Sequence, residues 1–212
     1  MLIILVVGCK KEEVLFERSA PIDTIKNSVA EMLMDGNTVQ AILDEGYTPK
    51  DIYDNDNSYL DSIFGKLYQE GLIFHFNTDG SGLVVAPTDD CTYSKWGCEG
   101  KDLMGATNYR IGGGRKNTAD IIAGCGDIPI AAIRTDALSE GGYSDWYLPN
   151  ITELVEIKAK IATQGLGSFG VDPYWSSNQV NAKEAQAYEF SSGLTSDNVK
   201  SNRYLVRAVR QF

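Results

Sequence analysis

Gly71-Leu72-Ile73-Phe74-His75-Phe76-Asn77-Thr78-Asp79-Gly80-Ser81-Gly82-Leu83-Val84-Val85-Ala86 is the stretch on which the fold turns. Leu72, Phe74 and Phe76 alternate with Ile73, His75 and Asn77, the period of two that sends successive side chains to opposite faces of a strand. Asp79-Gly80 then supplies a tight reversal, and Leu83 to Ala86 returns as the second strand of a hairpin. Just upstream, Leu60, Ile63, Phe64, Leu67 and Tyr68 would all line one helical face, but Gly65 predicts a break after Phe64. A boundary at 64/65 therefore separates helical from β-rich sequence.

Residues 23–64 form a small acidic helical array. Ile25, Val29, Met32 and Leu33 share a helical face that Asp35-Gly36 ends, and Val39, Ile42 and Leu43 precede a second stop at Glu45-Gly46. The two stops look like a degenerate short repeat. Thr48-Pro49-Lys50-Asp51 is a capping box with Pro at the first helical position, opening a third helix through Ile52 and Tyr53. Asp54-Asn55-Asp56-Asn57-Ser58 alternates oxygen ligands as a Ca²⁺ loop does. Tyr59, however, stands where an EF-hand needs Gly, and Gly65 where it needs a bidentate Glu, so a solvated acidic turn is expected. Lys10 to Glu70 holds six basic and thirteen acidic side chains within a chain of net charge -10. Neither half offers a basic footprint, which sets nucleic acid aside as a partner.

At the start, Leu2 to Val7 is an apolar run far short of the roughly 20 residues that span a bilayer. Leu5-Val6-Val7-Gly8-Cys9 resembles a bacterial lipobox, with Cys9 the lipidated residue, 1–9 the remnant of a signal and 10–22 a charged tether. The basic segment that normally precedes such a run is missing, the pattern expected of a start codon taken too late or of a truncated gene. Lys10-Lys11-Glu12-Glu13 resembles the charged tag that carries some lipoproteins to the outer face, so the expected location is the cell envelope, as an outer-membrane lipoprotein exposed at the surface. Cys91, Cys98 and Cys125 then remain, and one disulfide with one free thiol is the simplest count. Zinc is disfavoured, because His75 is the only histidine and Cys91 to Cys98 is not a short ligand clip. No metal centre is expected.

Beyond the hairpin, residues 89–114 are rich in Gly and polar side chains and are expected to be ordered loop. Asn117-Thr118 predicts a helix through Ile121, Ile122 and Cys125; Pro129 predicts another, running through Ile133 to Gly141-Gly142. Asn150-Ile151-Thr152-Glu153 caps a third, whose apolar face is Leu154, Ile157 and Ile161. Strands are expected at Tyr174 to Ser177, Ala185 to Ser191 and Tyr204 to Val209, with a turn at Ser192-Gly193. Helices and strands in separate runs make the fold class α+β.

Several of these pieces recur together. Tyr68 to Phe74, Gly82 to Pro87, Trp96-Gly97-Cys98, Ile111-Gly112-Gly113-Gly114 with Asn117-Thr118, Gly142 to Pro149 with Glu153-Leu154, Tyr174-Trp175-Ser176-Ser177, Phe190 to Gly193 and Val206 to Arg210 resemble the Lcl C-terminal domain family, long catalogued as a domain of unknown function. The resemblance covers 65–212 and implies a compact domain similar to C-type-lectin folds on bacterial surface proteins. The family's namesake is a domain of a collagen-like adhesin that binds glycosaminoglycans. This chain carries no collagen repeat, and its acidity disfavours a sulfated polymer. Many members place a further cysteine where Thr135 stands, so the resemblance implies Cys98 with Cys125 as the disulfide, with Cys91 and Cys98 the remaining alternative.

Trp146, Leu148, Tyr174 and Trp175 are expected to anchor the core, their indole N–H groups finding local acceptors. Arg207 and Arg210 are expected to tie the last strand to Asp145 or another carboxylate. The glycine run before Arg115-Lys116-Asn117-Thr118 is not a Walker loop; a tight backbone passage is preferred over an anion cradle. No G-x-S-x-G elbow accompanies His75, and no cysteine pair follows Cys125 to support formylglycine-type oxidation, so no catalytic residue is assigned. The reading that results is a surface lipoprotein acting as a binding or adhesion module for a glycan, matrix or envelope ligand. Loop 165–172 and turn 195–202 are its expected contact sites, with Asp172, Asp197, Asn198 and Asn202 as polar ligands and Ca²⁺ as the one ion they suit. The alternative is a structural or protein-interaction subunit of a surface complex docking through the acidic array; an envelope enzyme ranks last.

Overall fold

Ser28, Thr38 and Thr48 each lend a side-chain oxygen to a backbone N–H in the first turn of a helix. They open α1 (Val29–Met34), α2 (Val39–Asp44) and α3 (Pro49–Asn55), spaced every tenth residue in the computed structural model, which describes residues 27–89 and 93–212. Glu31 and Asp51 close reciprocal capping boxes on α1 and α3, as expected for Thr48-Asp51. Gly36 and Gly46 follow the first two helices at φ 83° and 86°, so the degenerate repeat is a physical one. Ile25, Cys9 and Cys91 lie outside the described residues. The short α4 (Leu60–Ile63) stops at extended Phe64, and Gly65 at φ 78° makes the expected break.

The hairpin forms as β2 (Gly71–Phe76) and β3 (Gly82–Val85), flanked by β1 (Leu67–Tyr68) and, antiparallel to β3, by β9 (Val209–Gln211). Strict alternation in 71–76 does not hold. Ile73 faces Val84 but His75 faces Leu83, so Phe74 is the extra residue of a bulge. The cause is burial on both faces. Ile73 and Val84 join Val29, Ile42, Ile52 and Trp146 in one apolar cluster, while Phe74, Leu83 and Val209 join Leu154 and Ile157 in another. The change of structure at 64/65 is thus no gap in the core, because the array's apolar side is spent against the sheet.

Downstream the order is β4 (Ser94–Lys95), α5 (Gly114–Gly124), α6 (Ala131–Asp136), α7 (Ile151–Lys160), β5 (Tyr174–Gln179), β6 (Glu184–Glu189), β7 (Leu194–Val199) and β8 (Arg203–Tyr204). α7 carries the expected Asn150–Glu153 capping box, and Leu154, Ile157 and Ile161 are fully buried. α5 begins at Gly114 rather than at an Asn117 cap, because the buried Asn117 side chain bonds Asn108 and Ser177 instead. α6 starts two residues after Pro129, with extended Ile130 at the cap bridged to Lys95, and it ends before Gly141-Gly142.

Residues 195–199, expected as part of a turn, are strand instead. β7 pairs with β6 from Leu194↔Glu189 to Val199↔Glu184, as the outer strand of a three-stranded antiparallel sheet. Its side chains are mostly exposed and polar, so it lacks the apolar alternation that announces a strand. The strand expected from Tyr204 to Val209 divides between β8, which pairs with β4, and β9, with 205–208 crossing between sheets. A third apolar cluster includes Trp96, Leu103, Ile121, Trp175 and Val206 beside the Cys98–Cys125 disulfide. Trp175 donates its indole N–H to Ser94 O at 2.9 Å and Trp96 to Ser176 O at 2.9 Å. Among the described residues no helix is long and apolar enough to cross a membrane.

Candidate functional site

The glycine run is where the family-like motifs 111–118 and 142–149 meet. A Cβ on Gly114 would lie 2.4 Å from Glu153 Oε2 and 2.8 Å from both Asn150 N and Leu148 O, so only glycine allows this passage. The backbone N–H groups of Gly112 and Gly114 do face an anion, and it is the protein's own. Glu153 Oε1 accepts from Gly114 N at 3.4 Å and Tyr147 O–H at 3.4 Å, while Oε2 accepts from Asn150 N at 2.7 Å; the Gly112 backbone also donates to this carboxylate. Burial raises the Glu153 carboxyl to about 7 against the opposing pull of these hydrogen bonds. This knot ties the starts of α5 and α7 to the strand-like segment at Tyr147.

Two surface hollows flank the knot. The first, about 220 Å³, is lined by His75, Asn77, Ser81, Ile111, Gly112 and Gln211, among others. His75 Nδ1 meets Glu156 Oε1 at 2.8 Å and Nε2 meets Asn77 Oδ1 at 3.1 Å. The Glu156 bond above all raises the imidazole's pKa, with burial opposing. The second hollow, about 270 Å³, is lined by Arg115, Asp136, Ser144, Asp145, Trp146 and Tyr147, among others. Arg115 Nη1 donates to Gln211 Oε1 at 3.4 Å, so a residue of each hollow joins the two at a bridge. Behind Asp145, Arg210 stands 3.7 Å away, and its guanidinium lies over the Tyr143 ring at 3.9 Å. Fixed donors and acceptors in shallow hollows suit a ligand rich in hydroxyl or amide groups. Glu153, the one strongly raised carboxyl among the described residues, lines neither hollow.

The residues singled out on the loops do not form one ligand sphere. Asn198 and Asn202 come together at Tyr204, whose O–H donates to Asn198 Oδ1 at 2.8 Å and accepts from Asn202 Nδ2 at 3.3 Å. Asp172 accepts from Tyr93, the residue before Ser94, which pairs with Tyr204. Asp197, next to Asn198 on β7, acts instead on Tyr109, whose hydroxyl is raised by burial first and by the Asp197 charge second. Among the described residues, the metal-ligating side chains that converge are Cys98, Cys125 and Asp127, and both sulfurs are spent in the disulfide. The two arginines take carboxylates as expected. Arg207 bonds Asp89 Oδ1 at 2.6 Å and the carbonyls of Ala86 and Gly167, and Arg210 approaches Asp145. Trp146, Leu148, Tyr174 and Trp175 are all buried, but Trp146 Nε1 has no acceptor among the described residues. The hollows were missed because Arg115 and Gln211 stand far apart in sequence. Their signal was the polar residues beside the two glycine-bearing motifs.

Among the described residues, three antiparallel sheets, interleaved helices and a pair of hollows with mixed polar and apolar walls define a mixed α/β module. The chain belongs to the Lcl C-terminal domain family, whose family model matches residues 101–210. The matched stretch holds the glycine run, α7 and the first two residues of β9, while the array and the hairpin precede it. No curated protein matches the chain.

Proposed function

We propose that this chain is a surface-held binding module, of the C-type-lectin kind, which takes a hydroxyl-rich glycan of the envelope or matrix in the two hollows joined at Arg115 and Gln211. The observation that carries this reading is that junction: charged and amide side chains line adjoining hollows, and one wall residue of each, Gly112 and Tyr147, bonds the buried Glu153. Guanidinium, carboxylate and carboxamide groups together present the fixed donor and acceptor pairs that adjacent sugar hydroxyls require. The net charge of -10 directs the choice toward neutral or basic glycans and away from sulfated ones. Glu153 supports a non-catalytic reading, since the group best tuned for proton transfer is committed to backbone N–H groups. Anchoring through a lipid on Cys9 belongs to the same proposal and rests on the sequence around that residue.

Glycan-array binding, run with and without Ca²⁺, tests it. The expected result is a set of neutral-glycan signals that Arg115→Ala with Gln211→Ala abolishes and that Asp197→Ala leaves in place. Absence of any signal in both conditions, or a signal indifferent to the double substitution, refutes the site. Intact-mass measurement of the membrane-extracted protein separately shows or denies an acylated Cys9.

A further inference from the structure

Lys200 follows β7 and is fully buried, and the side chain it reaches for, Gln179 at the end of β5, is buried too. Its Nζ donates to Gln179 Oε1 at 2.6 Å and to Lys101 O at 2.9 Å, and stands 4.6 Å from the centre of the Trp96 ring. Gln179 Oε1 also accepts the Leu103 backbone N–H at 2.9 Å, and its Nε2 donates to the Asp102 carboxylate. An amine thus faces a carboxamide whose oxygen has a backbone donor and whose nitrogen has a carboxylate partner. Since a C=O bond is about 1.2 Å long, Nζ lies within about 3.8 Å of Gln179 Cδ, close to the roughly 3 to 3.5 Å of a near-attack geometry.

We propose that Lys200 and Gln179 form a self-modification site, joining as an intramolecular amide cross-link with loss of ammonia. The Nζ lone pair attacks Cδ and forms the new C–N bond, while the carbonyl electron pair moves to Oε1 and is held by the Leu103 N–H. The proton that leaves the attacking nitrogen passes to Nε2, which the Asp102 carboxylate holds by a hydrogen bond and orients for departure. The C–Nε2 bond then breaks as the carbonyl re-forms, and ammonia departs. No oxidant, reductant or cofactor enters.

The surroundings favour this outcome. A buried ammonium is costly, and Lys200 has only neutral oxygens as its hydrogen-bond acceptors among the described residues. Burial accordingly lowers its amine to about 8, leaving more of it in the nucleophilic form than an exposed lysine would have. The amide product removes the charge yet keeps an N–H for Lys101 O. It also staples the end of β5 to the turn after the outer strand β7, bracing a sheet edge that pairs with no further strand among the described residues.

Peptide mapping of the reduced full-length protein tests the proposal, fresh and after incubation above the Lys200 midpoint. The expected result is one branched peptide that joins the Lys200 and Gln179 segments and is lighter than their sum by one ammonia. Lys200→Met and Gln179→Leu should each abolish it, and Asp102→Asn should slow its appearance. Recovery of unlinked Lys200 and Gln179 peptides after incubation overturns the proposal, as does ammonia loss that maps elsewhere. The wild-type map decides even if a substituted chain fails to fold.

Discussion

The array before Gly65 and the family-matched stretch after Lys101 share a core, yet they are held by different physics. In the array, α1, α2 and α3 each carry their own start in a Ser or Thr cap, and α1 and α2 each end in a left-handed glycine, so these boundaries are specified within a turn of themselves. After Lys101 the specifying contacts reach across the chain. Trp175 bonds Ser94, Asn117 bonds Ser177, Arg207 bonds Asp89, and Cys98 is joined to Cys125. The lesson is that a loop-rich domain can be as ordered as a helical one when buried polar side chains take over the bonding that ladders and turns supply elsewhere.

The comparison breaks most readily at Trp175. Trp175→Ala should cost about 3–5 kcal/mol, by loss of a fully buried ring and of the bond to Ser94 O, whereas Ile42→Val in the array should cost only about 1 kcal/mol. Chemical denaturation of both variants checks this, and similar midpoints would erase the distinction. Next, replacing Cys98 and Cys125 together by Ser should cost about 3 kcal/mol through the freed unfolded chain. Denaturation with and without reductant should reproduce the difference.

Glu153 sharpens the comparison through pH. Its folded value of about 7 lies above the ordinary 4.5, so the folded state holds the proton more tightly than the unfolded one. Stability from this group is complete below about 4.5 and is lost as pH rises through about 7, by an amount on the order of 3 kcal/mol. The His75–Glu156 pair adds a fall of the same sign at and above the ordinary histidine value, because its folded pKa is also raised. Thermal melts across this range should therefore show wild type declining more steeply than Glu153→Gln; parallel curves would remove Glu153 as the cause. The smallest effect belongs to a local cap. Thr48→Ala should cost about 1 kcal/mol, measurable as a modest shift in melting temperature.

Much of the fold was legible because its signals are local. The capping boxes at Thr48 and Asn150, the break at Gly65, the hairpin and the aromatic core residues all stand where the sequence pattern put them. The bulge at Phe74 was not legible, since it answers to helices on both faces of the sheet rather than to its own neighbours. β7 was hidden for a related reason: an outer strand of Thr, Ser, Asp and Asn satisfies its backbone on β6 without any apolar period. Of the candidate site, the glycine run was visible as a tight passage, but not that Glu153 fills its N–H groups. Asp172, Asp197, Asn198 and Asn202 were chosen on composition, and the structure divides them among three tyrosine neighbours.

Sequence alone determined the helix starts at Thr48 and Asn150, the hairpin, the acidic surface and membership of a family, because those properties depend on neighbouring residues or on ordered motifs read in series. Tertiary structure decided which cysteines pair, that Arg115 meets Gln211 between two hollows, and that Lys200 lies against Gln179. Those partners are distant along the chain, and only burial, which forces each polar group to find a partner inside the fold, brings them together.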